Sequence, residues 1–158
     1  VEYINIFLPI FLLTGYAAWQ DYKTGEIDNW VSIAILIYGI LVNAFLYPNR
    51  FFTSIWYLYT IGLFFVIAFF ITYREVNGEE FSAIGGGDVK LFAALSFFYG
   101  QKILVIVFIA SILGLIYGLA VGIKEKTYLK TSIRFGPAIF AAVLISHLPI
   151  IDQLFPFS

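Results

Sequence analysis

Six apolar runs, at about residues 3–20, 30–47, 55–73, 88–99, 103–123 and 136–151, occupy most of this 158-residue chain, and the segments between them hold nearly all its charge. A helix of about 20 residues rises roughly 30 Å, the thickness of a bilayer's hydrocarbon core. Lipid offers the backbone no hydrogen bonds, so runs of this kind cross it as helices. The expected fold is therefore all-α: a polytopic membrane protein with about six transmembrane helices, residues 1–158 forming a single integral membrane domain. Composition agrees, with 61% hydrophobic residues, 12% charged residues and a mean hydropathy of +0.93, far from the balance of a soluble domain. The run at 88–99 is short for a full crossing, so it is tilted, re-entrant or extended by the glycines that precede it. The first run lacks the basic start of a signal peptide, and no small-residue cleavage site follows it.

Composition also removes whole classes of function. With no Cys there is no disulfide, no thiolate zinc site and no cysteine nucleophile. No basic tract suits nucleic acid. No cluster of His and carboxylates offers a metal site, so neither metal nor cofactor is expected. His147 stands alone near the end of the sixth run and reads as a packing or interface residue.

Counting Lys and Arg on alternate sides of six spans gives an orientation. Lys23, Arg74, Lys90, Lys124, Lys126, Lys130 and Arg134 fall on one side, against Arg50 and Lys102 on the other. The positive-inside rule makes the first side cytoplasmic. Both termini then face outward, and Asp21 and Asp88 fall together at the cytoplasmic ends of the first and fourth spans.

Those two aspartates are the candidate catalytic residues. A carboxylate at membrane depth is expensive and marks a functional site by default. Two that can meet form the minimum equipment of an aspartic protease, one carboxyl protonated, the other ionised, with a water between them. Asp88 directly follows Gly85, Gly86 and Gly87. Three glycines disfavour a helix, so the regular helix is expected to begin near Asp88, at a position where its dipole favours an anion. The exposed glycine backbone is a candidate substrate-binding edge, to which an extended peptide could add as a strand. Asp21 directly follows the first apolar run. Its neighbours have plainer explanations: Lys23, Thr24 and Gly25 as a turn, Glu26 as a solvated charge, and Asp28 or Asn29 as the cap of the next helix. Lys90 is expected to snorkel to the interface, and Phe92, four residues after Asp88, packs in the core or walls the site.

The segment GGGDVKL, with the upstream Asp21 followed by Ile27, Asp28 and Asn29, resembles the type IV prepilin and preflagellin peptidases, the GxGD intramembrane aspartic proteases. Phe135, Gly136 and Pro137 resemble the family's late Phe-Gly-Pro segment. The first-aspartate motif departs from the family at Asp28, where Pro is usual. The resemblance implies an aspartic endopeptidase that removes the short basic leader of pilin or archaellin precursors at the cytoplasmic membrane face. With no cysteine tetrad, the chain resembles the short form without the methyltransferase-associated domain, either of the Tad/Flp type or a compact archaeal relative.

Ala110, Gly114, Gly118 and Gly122 recur every four residues as a small-residue stripe that serves an internal neighbour or a homo-oligomer. Pro137 suits the first turn of the sixth helix. Lys124, Lys126, Lys130 and Arg134 read as topology determinants and anionic-lipid contacts. Two other readings stand beside the peptidase. One is a presenilin or signal-peptide-peptidase-like protease, although Gln20 stands where those proteins carry Tyr. The other is a proton- or cation-coupled transporter, for which the inverted repeat is missing.

Overall fold

The computed structural model describes residues 2–76, 79–81, 84–125, 134–155 and 157. In chain order they form α1 (Glu2–Thr24), α2 (Asn29–Phe45), α3 (Phe51–Thr72), β1 (Arg74–Val76), β2 (Glu79–Phe81), α4 (Gly86–Tyr99), α5 (Ile103–Glu125), α6 (Gly136–Ser146) and α7 (Pro149–Leu154). Short 3₁₀ turns at Pro48–Arg50 and Gly100–Lys102 lead into α3 and α5. The fold is helical, and among the described residues its one small sheet is the antiparallel pair β1–β2, in which Glu75 is in register with Glu80.

The short helix α4 is the centre of the bundle. It packs between α2 and α3, while α1 packs on α6 and α6 on α5. Its sequence explains the position: apolar residues surround it, and Val89, Leu91, Phe92, Ala94 and the whole of Leu95–Tyr99 are buried. A helix that is apolar on all sides belongs inside. Its 14 residues rise only about 21 Å, so the expected shortness is real and is accommodated by neighbours rather than by lipid. Phe92 stacks on Phe65 of α3 at 4.5 Å and 4°. Asn43 of α2, fully buried, donates to the Phe97 carbonyl of α4 at 2.9 Å, a polar tie between two apolar surfaces.

The outer helices are apolar toward their surroundings. Pro48–Thr72 and Gly86–Val121 are long and apolar enough to cross a membrane, yet only 11% and 22% of their apolar windows are buried. A soluble core helix would be mostly covered. Here Phe52, Trp56 and Phe70 of α3 point outward, and lipid is the solvent that suits them. The second stretch is divided at Gly100, whose φ of +55° is open to glycine at little cost.

Three sequence expectations change. The sixth run is two helices, because Pro149 cannot continue α6 and instead opens α7; α6 alone has 11 residues. The segment after α3, read in the sequence only as a charged connection between apolar runs, contains a β-pair. Helix α4 begins at Gly86, two residues before Asp88, and so takes in two of the three glycines, since first-turn residues need no intrahelical donor bond. Lys126 and Lys130 lie outside the described residues. On α5, Gly114 is buried against the chain's own Phe135, whose ring occupies the place a Cβ would take.

Candidate active site

Asp21 sits in the last turn of α1. Gly25, with φ +76°, ends that helix by returning its N–H to the Asp21 carbonyl at 2.8 Å, the left-handed closure that glycine favours. The next three residues, Glu26 to Asp28, turn the chain into α2. Gln20 Oε1 accepts from the Asp28 N–H at 3.1 Å, and Asp28 occupies the N-cap position without a side-chain cap bond. Its carboxylate instead accepts from Trp30 Nε1 at 3.3 Å. Glu26 is exposed.

Asp88 is the third residue of α4, whose N-cap is Gly85. Its carboxyl lies against Gly85, where a Cβ would sit 3.0 Å from Asp88 Oδ2. Asp88 Oδ1 is buried with no hydrogen-bond partner among the described residues. Gly87 packs against Ile27: a Cβ on Gly87 would lie 3.1 Å from Ile27 Cβ. The bare Cα thus lets the start of α4 approach the α1–α2 connection.

Asp21 and Asp88 are 4% and 5% exposed and both line one cleft of about 360 Å³. Gly85, Gly86 and Gly87 line it too, with Gly85 and Gly86 exposed. Among its lining residues, Asp21, Glu26, Asp28 and Asp88 oppose a single cation, Lys90. That ammonium is engaged with Asn29 Oδ1 at 2.7 Å, so the cleft is net acidic. Phe92 lies below, in the core, with Phe135 6.2 Å away edge-on.

A third element completes the surroundings of Asp21. The Gly136 N–H, at the start of α6, donates to Asp21 Oδ2 at 2.8 Å. The first N–H groups of a helix have no partner inside it and carry the positive end of its dipole. Asp21 supplies the acceptor. Gly136 must be small for this approach, because a Cβ there would lie 2.8 Å from Asp21 Cβ and 2.9 Å from Oδ2. The Arg134 guanidinium donates to the carbonyl of Tyr22, the residue after Asp21, and lies over the Tyr22 ring.

Residues 6–119 match the sequence profile of the type IV leader peptidase family. The chain belongs to that family. The matched stretch contains both aspartates and the three glycines. A curated relative, the prepilin leader peptidase/N-methyltransferase of Bacillus subtilis (strain 168), is 29% identical over 135 residues, covering 75% of this chain and 53% of the relative. The chain thus spans about half the length of that relative. No solved structure matches it. Among the leader-peptidase features of the sequence, Arg134 to Pro137 lie beyond the matched stretch, and they contain the partners of Asp21 that the residues alone did not reveal. Pro137 in the first turn of α6 was the available signal: it fixes a helix start, and a helix start offers free N–H groups to an anion.

His147, by contrast, is far from the cleft. It caps α6 with its ring 4.4 Å from Phe7 and 5.0 Å from Phe11, a packing position. Phe7 and Asp21 are 14 positions apart on α1, which places them about 21 Å apart along its axis.

Proposed function

We propose that this chain is a membrane-embedded aspartic endopeptidase that removes the leader of type IV prepilin-like precursors, pilins or archaellins, at the cytoplasmic membrane face. The observation that carries this reading is the shared cleft: two buried carboxylates, from α1 and α4, open on one polar cavity in a member of a leader peptidase family. Asp21 and Asp88 are the catalytic pair. The ionised carboxyl takes a proton from a water as it attacks the scissile carbonyl, and the protonated carboxyl donates to the carbonyl oxygen. The tetrahedral intermediate collapses as a proton passes to the leaving amide nitrogen. No covalent intermediate forms.

The net acidic lining favours a positively charged leader. Gly85 and Gly86, exposed beside Asp88, provide backbone on which an extended peptide can lie as an added strand. The cytoplasmic assignment draws support from the distribution of cations. Lys90 lines the cleft and Arg134 lies on Tyr22, next to Asp21, whereas Arg50 bonds the Tyr99 carbonyl at 3.3 Å and Lys102 pairs with Asp152 at the other end of the bundle. Six spans with both termini outside accord with that partition.

The test is to reconstitute the protein in vesicles with a prepilin-like precursor and measure product masses. Loss of the basic leader just before the hydrophobic segment is expected. An intact precursor, together with proton or cation flux across the same vesicles, contradicts the proposal in favour of transport.

A further inference from the structure

Resting on the peptidase reading, we propose that Arg134 and Gly136 make the two aspartates unequal: Asp21 is the general base and Asp88 the general acid. Asp21 accepts the Gly136 N–H at the start of α6 at 2.8 Å, and Asp88 lies in the first turn of α4, so each carboxyl faces a helix start. The helix contributions are therefore similar. Two observations break the tie. Arg134 brings a positive charge beside Asp21, its guanidinium donating to the carbonyl of the adjacent Tyr22 and lying over that ring, and this charge adds to the Gly136 bond in favouring the ionised form. Among the described residues Asp88 Oδ1 is buried without a partner; a bare anionic oxygen there costs more than a neutral hydroxyl, so the shared proton resides on Asp88.

The remaining charged groups that line the cleft do not reverse this order. Glu26 and Asp28 are exposed and Lys90 is held by Asn29. Asp21 accordingly removes the proton of the attacking water. Asp88 Oδ1 transfers its proton to the carbonyl oxygen, and the proton held by Asp21 passes to the leaving nitrogen. Each carboxyl regains its starting state once the Asp88 proton is returned from the collapsing intermediate.

Arg134 is a positioning residue in this scheme, and the pH–rate profile reports its action. In Arg134→Gln, loss of the charge beside Asp21 makes that carboxyl easier to protonate. If Asp21 is the base, the acidic limb of kcat moves to higher pH by about half a unit, the basic limb stays, and Arg134→Lys restores the profile. Movement of the basic limb instead reverses the assignment, because the affected carboxyl would then be the acid. No movement of either limb overturns the role given to Arg134. Arg134 is exposed, so a folded variant is expected, and its thermal transition is recorded alongside. Full activity of Asp21→Asn and Asp88→Asn would remove the peptidase dyad itself, an outcome distinct from all of these.

Discussion

Gly136→Ala is the sharpest perturbation of the site, because it adds one methyl group where the backbone of α6 meets Asp21. The new Cβ would lie 2.8 Å from Asp21 Cβ, where ordinary contact begins at 3.4 Å. Relief requires about half an ångström of separation, enough to stretch the 2.8 Å Gly136–Asp21 bond past the usual limit of about 3.2 Å. A hydrogen bond to a charged group contributes about 1.5–3 kcal/mol. If that stabilisation serves the ionised base in the transition state, kcat falls by about 10- to 150-fold. The assay is leader cleavage by the reconstituted protein under single-turnover conditions, with thermal unfolding of each variant recorded. Gly62→Ala is the control, since its Cβ would sit 3.8 Å from Ala93 Cβ on the far side of the bundle core; its rate should equal wild type. A Gly136→Ala enzyme that folds and cleaves at the wild-type rate refutes the argument that this contact sets the catalytic geometry.

Other expectations concern the scaffold. Phe92→Ala removes the fully buried partner of the Phe65 stack and should destabilise the protein by about 3 kcal/mol, read from denaturant unfolding in mixed micelles; a change under 1 kcal/mol would contradict the packing described. Lys102 is buried while its partner Asp152 is 48% exposed. Lys102→Met should therefore be neutral or stabilising, whereas Asp152→Ala strands a buried ammonium and destabilises, by less than the roughly 3–5 kcal/mol of a fully buried pair. Equal effects of the two variants on the same unfolding curve would count against that account.

The helical membrane fold was legible because its signal is thermodynamic and repeated along the chain: long apolar runs must bury their own hydrogen bonds. Asp21 and Asp88 were legible for the opposite reason, since each is a costly exception within that pattern. What escaped is what hydropathy does not weigh. The sixth run is uniformly apolar, yet Pro149 lacks the N–H that would continue α6. The strands after α3 are three residues each, too short to show an alternation. Gly136 escaped because its contribution is a backbone N–H, and nothing in a side chain announces where that group will point. Arg134 carried a visible charge, but a cation near a membrane end serves topology as readily as it serves a neighbouring carboxylate. Only the packing of α6 on α1 separates the two roles.

Asp21 and Asp88 are expected to act as one catalytic unit. Leader cleavage by Asp21→Asn, Asp88→Asn and the double variant tests it most directly. Each single substitution should abolish turnover by several orders of magnitude, and the double should lose no more than either one, because residues that act together are not additive. A single variant that retains the wild-type rate, or a double variant whose loss is the product of two modest losses, would contradict it.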